Sequence, residues 1–90
     1  MTLLDYKNQF IAKHSEADWA VHTSPMDQYG QYVKTYVFTD GATMTEINRP
    51  VIETVQVEVK GIMVDVEVKL METEIWNTDN AKSVKFYEKW

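Results

Sequence analysis

Residues 55–68, VQVEVKGIMVDVEV, carry valines at alternate positions on both sides of a central Lys60-Gly61, with Gln56, Glu58, Asp65 and Glu67 between them. Period-two alternation is the mark of a strand with one apolar and one polar face. A two-residue turn at Lys60-Gly61 pairs Val59 with Ile62, Val57 with Val64 and Val55 with Val66. All six then share a face, whereas a three-residue loop sets valines against carboxylates. The pattern predicts a β-hairpin whose valine face is interior, with Val57 and Val64 in the core and the acids on the outer face.

The opening segment has a different period. Leu3, Tyr6 and Phe10, with Leu4 and Ile11, recur at helical spacing, and Thr2 with Asp5 forms an acidic capping box, so a helix is expected from 3 to about 15. Residues 16–30 show no sustained period and contain Ser24-Pro25 and Gly30, which reads as an irregular crossing segment anchored by Trp19 and Val21. From residue 31 the chain turns to β-branched and aromatic residues. A three-residue loop of Thr39, Asp40 and Gly41 pairs Phe38 with Ala42, Tyr36 with Met44 and Lys34 with Glu46. Arg49-Pro50 predicts a break or kink, because proline donates nothing to a sheet ladder.

Beyond Val68 the apolar positions slip to Met71, Thr73 and Ile75, the change of parity that a β-bulge near Leu70 produces. Residues 77–80, NTDN, have turn composition. With a four-residue loop there, a final strand over 82–90 pairs Thr73 with Val84, Met71 with Phe86 and Glu72 with Lys85, and sets Val84, Phe86 and Trp90 on one alternation. A short helix is the alternative for 82–90. The whole reads as one α+β domain over residues 1–90: an N-terminal helix packed on a twisted antiparallel meander sheet of about five strands.

Ninety residues with 44% apolar and 12% aromatic content support one small core. The chain has no cysteine, so disulfides, thiolate zinc sites and thiol nucleophiles are excluded. No basic leader, signal-type apolar run or membrane span is read, and the expectation is a soluble cytoplasmic protein that does not bind membranes. A net charge of −5 argues against nucleic acid as a ligand. Charge is uneven: six acids against Lys60 and Lys69 over residues 53–74, and Lys82, Lys85 and Lys89 against Glu88 in the last nine residues, which suggests mutual attraction of the two segments.

Candidate chemistry is sparse. His14 and His22 flank Glu16 and Asp18, but the spacing matches no metal-ligand pattern; His14 is read as complementing the helix dipole while its ring packs on the core, and no metal or cofactor is expected. The carboxylates alternate along strands instead of converging in a cleft, the serines lie in no nucleophile elbow, and no Gly-rich phosphate loop occurs. No catalytic residues are assigned. The first hairpin is apolar on both sides, with Val33, Val37 and Ile47 opposite Tyr36, Phe38 and Met44, and a hairpin of that kind is either covered twice or contacts a partner. The expectation is a non-enzymatic protein-interaction module, self-associating as a homodimer or other homo-oligomer. Its partner-binding residues are expected to be Tyr32, Val33, Tyr36 and Val37 with the acidic Glu58, Asp65 and Glu67. The alternative is an acidic inhibitor of phage or mobile-element type, filling a basic nucleic-acid-binding groove on a target protein, and a small enzyme comes third.

Overall fold

The computed structural model describes residues 1–89. Helix α1 spans Leu3–Lys13 and is followed by strands β1 (Trp19–Thr23), β2 (Tyr32–Phe38), β3 (Thr43–Val59), β4 (Ile62–Asn77) and β5 (Asn80–Lys89). The strands form one antiparallel meander in the order β1-β2-β3-β4-β5. The Thr2 hydroxyl accepts from the Asp5 N–H while the Asp5 carboxylate accepts from the Thr2 N–H, closing the capping box that starts the helix.

One face of the sheet holds the helix. Phe10, Tyr36, Phe38, Ala42, Met44 and Ile75 are buried there, and Leu3, Tyr6, Ile11, Ala17 and Phe86 pack around them. Phe10 meets Phe38 edge-on at 5.3 Å between ring centroids, an arrangement that adds to the gain from burial alone. Glu46 is buried on the same face, its carboxylate 3.3 Å from Lys7 Nζ and accepting from the Tyr36 hydroxyl. Burial pulls Lys7 toward deprotonation, but Glu46 and Tyr36 more than offset it, so its pKa lies above the ordinary value. Burial and then the Glu46 carboxylate raise Tyr36.

The two central registers are those the turn residues dictate. Tyr36 pairs with Met44 and Lys34 with Glu46, with Gly41 at φ 92° in the left-handed position of the loop. Val59 pairs with Ile62, Val57 with Val64 and Val55 with Val66, and both turn residues have positive φ, Lys60 at 51° and Gly61 at 80°, as a type I′-like turn requires.

Four expectations are corrected. The crossing segment contains a strand, β1, paired with β2 from Trp19↔Phe38 to Thr23↔Lys34. Pro50 does not end β3, because β2 pairs with β3 only as far as Asn48, and from there a missing N–H on that side breaks no ladder bond. Gly30 lies against the Pro50 ring instead, where a Cβ would stand 3.2 Å from Cγ. No bulge occurs near Leu70: the β3–β4 register is unbroken from Met44↔Asn77 to Val59↔Ile62. The β4–β5 turn is tighter than four residues, with Asn77 paired to Asn80, which by itself keeps the expected register; the irregularity between Ile75 and Asn77 then shifts it by two residues, so that Ile75 meets Val84, Thr73 meets Phe86 and Glu72 meets Tyr87. Residues 80–89 are strand; Trp90 lies outside the described residues.

Candidate interaction surface

Because β2 leaves β3 after Asn48 and β5 pairs with β4 only over Leu70–Asn77, residues 51–69 form a two-stranded ribbon standing beyond the five-stranded body. At about 3.3 Å per residue it projects roughly 30 Å. The molecule is accordingly long, 57 × 30 × 19 Å, with a Cα radius of gyration of 16.9 Å where a compact chain of this length gives about 12 Å.

The unbroken register decides which face each residue takes. Met44, Glu46 and Asn48 point to the helix side, so Ile52, Thr54, Gln56 and Glu58 of β3 and Met63, Asp65, Glu67 and Lys69 of β4 continue that side. Val55, Val57, Val59, Ile62, Val64 and Val66 therefore lie on the back of the sheet, and the helix does not reach them. Val57 is 42% exposed, Val59 50%, Ile62 66%, Val64 42% and Val66 40%. The expectation that Val57 and Val64 are core is overturned. The parity slip near Leu70 is explained by the same fact: the body of β4 turns its apolar residues to the helix, and the ribbon turns them to the back.

The back face of the body, by contrast, is polar. Arg49 lies 3.6 Å from Glu72 and 3.7 Å from Glu74, Tyr87 donates to Glu72 at 3.0 Å, Trp76 Nε1 donates to Glu74 at 3.0 Å, and Lys85 stands 3.9 Å from Glu74. The bond to Glu72 is the main reason the Tyr87 pKa is raised. Between this network and the valines lies a hollow of about 470 Å³ lined by Val51, Glu53, Leu70 and Tyr87.

The seven residues expected to bind a partner are divided between faces. Tyr36 is 7% exposed and belongs to the core, packed on Trp19 and bonded to Glu46, so it has no surface to offer. Tyr32 shares its side of the sheet, whereas Val33 and Val37 lie on the back, with Val37 exposed. Glu58, Asp65 and Glu67 are exposed on the helix-side face of the ribbon, beyond the helix. The expected attraction between residues 53–74 and the last nine residues is met where Lys85 lies 3.9 Å from Glu74, but not at Glu58, Asp65 or Glu67, since β5 ends level with Leu70. Sequence reasoning placed the valines inside and thereby missed the largest exposed apolar strip; the signal available was length. An 11-residue helix spans about 16 Å, and a 17-residue strand about 55 Å, so the first cannot cover the second.

His14 caps the helix and packs on Phe10 and Phe38, as its position suggested. Its ring also ties two turns together, Nδ1 at 2.6 Å from Asp40 and Nε2 at 2.8 Å from Asp79. Ionised carboxylates only accept, so in the protonated ring both nitrogens donate. Among the described residues no group of three His, Asp or Glu is placed to hold a metal ion, and no helix is long and apolar enough to cross a membrane. No family model, no curated protein and no solved structure matches the chain.

Proposed function

We propose that the protein is a non-enzymatic interaction module whose contact element is the β3–β4 ribbon. One observation carries the reading: a ribbon of two strands stands free of the core and exposes a row of valine and isoleucine on a single face. A two-stranded hairpin alone in water is marginally stable, and contiguous apolar surface of this kind marks a contact site, so the ribbon is built to be covered. Val33 and Val37 of the first hairpin lie on the same side of the sheet, separated from the ribbon by the Arg49, Glu72 and Glu74 network.

A second reading has its own observation. Glu58, Asp65 and Glu67 share the opposite face of the ribbon, which suits an acidic inhibitor inserted into a basic groove. Such a complex is led by charge and weakens as salt rises, whereas one led by the valines does not.

The test is photo-crosslinking in the native cell from a benzoylphenylalanine at position 57, on the valine face, and at position 63, on the acidic face. The reading expects protein adducts from position 57. Adducts confined to position 63 favour the acidic inhibitor, and none from either position contradicts a contact role for the ribbon.

A further inference from the structure

We infer that the valine face of the ribbon is the seat of a second copy of this chain, the two ribbons stacked face to face and tip to base about a two-fold axis. The inference rests on the interaction-module reading and names its partner.

The geometry of the strip is self-complementary. It has three levels, Val55/Val66, Val57/Val64 and Val59/Ile62, with Val57/Val64 at the centre. A two-fold axis lying between the stacked faces, across the strands at that central level, sets the outer level of one copy on the inner level of the other. Val57 then faces Val57 and Val64 faces Val64 across a gap of about 10 Å between sheets, the spacing of a β-sandwich.

Charge supports the same arrangement. The three levels are uncharged, so stacking brings no like charges together, and the acidic faces of both ribbons point away from each other. The first charges at the two ends of the strip are Lys60 in the turn and Glu53, one level below Val55 and paired with Val68. Tip-to-base stacking puts Lys60 of each copy over Glu53 of the other, whereas tip-to-tip stacking crowds Lys60 on Lys60. The hollow between Val51, Glu53, Leu70 and Tyr87 lies just beyond, under the incoming turn.

Area sets the strength. The exposed part of the strip amounts to roughly 400 Å² per copy, within the range of the largest patch on an ordinary monomer and about half of what each partner gives to a standard interface. With the hollow and the two charge pairs at the rim, the dimer belongs to the weak, transient class.

Sedimentation equilibrium from about 10 μM to 1 mM reads this directly. The parent chain should pass from monomer to dimer over that range, and Val57→Asp with Val64→Asp should stay monomeric with an unchanged circular dichroism spectrum. Lys60→Glu and Glu53→Lys should each weaken the dimer several-fold, and the two together should restore it. Since the chain has no cysteine, a short bis-maleimide, which can span facing sheets too far apart for a disulfide, should couple Val57→Cys into a dimer while Met63→Cys on the opposite face should not be coupled. A parent chain that is monomeric at 1 mM overturns the inference, and with crosslinks from position 57 to another protein the interaction-module reading survives it. A dimer indifferent to the Lys60 and Glu53 exchanges overturns the tip-to-base arrangement.

Discussion

His14 is the residue whose chemistry reaches furthest beyond its own position. It closes the helix and holds the β2–β3 turn through Asp40 and the β4–β5 turn through Asp79. Its hydrogen bonds to Asp79 and then Asp40 raise its pKa above 6.5. A group raised in the folded state contributes stability that is fully present below its unfolded pKa and is lost as pH rises through the folded one. The melting temperature is therefore expected to fall as pH rises from 6.5 through the higher pKa of the folded state, with His14→Gln abolishing that slope. Asp40 sets the opposite limb: its bond from the Ala42 N–H, and then His14, hold it below 3.8, so its contribution is lost only in stronger acid. Thermal melts from pH 5 to 9 on both proteins check the first claim. An alkaline slope unaltered by His14→Gln places its origin elsewhere.

At the scale of elements, local signals located the turns and failed to say what covers the strands. Asp40-Gly41 and Lys60-Gly61, combined with alternation, were enough to fix both central registers, because a one-residue slip would mix apolar and charged side chains on one face. Alternation shows which residues share a face but not whether that face is covered. The valines were read as core for that reason, and the supposed break at Pro50 hid the length that would have exposed the error. The short β1 was illegible for a different reason: it is an exposed edge strand throughout, so Trp19–Thr23 carries no burial pattern to read. The ribbon tip yields a prediction of its own. Gly61→Val forces a β-branched residue into φ 80°, at a cost of about 1–2 kcal/mol. Because the tip lies outside the core, the cost should appear locally, as roughly tenfold faster amide hydrogen exchange around residues 58–63, with the global unfolding midpoint almost unmoved. A global loss equal to the local one would show that the tip unfolds with the body.

The whole molecule has two parts with different duties. The body carries the hydrophobic core, the half-buried Lys7 with the buried Glu46 and Tyr36, and the His14 tie, all on the helix side of the sheet. The ribbon carries exposed aliphatic side chains that the body does not need. The proposed contact surface is partly legible in the sequence: apolar residues on both sides of the first hairpin point to the back of the sheet, and the acids to the ribbon, but Tyr36 reads as surface and the valines as interior, the reverse of what the structure has. The central claim is that the valine ribbon lies outside the cooperative fold, and the most direct measurement removes it. Glu53 pairs with Val68 in the same ladder position, six residues down, that Val59 and Ile62 hold at the turn, so replacing residues 54–67 by Asn-Gly re-closes the hairpin without disturbing the body. Urea unfolding of this shortened chain, at a concentration where the parent is monomeric, should give a cooperative transition within about 1 kcal/mol of the parent, with a smaller dependence on denaturant because less surface is exposed on unfolding. Loss of the cooperative transition, or a fall of more than about 3 kcal/mol, would mean that the valines are part of the core after all.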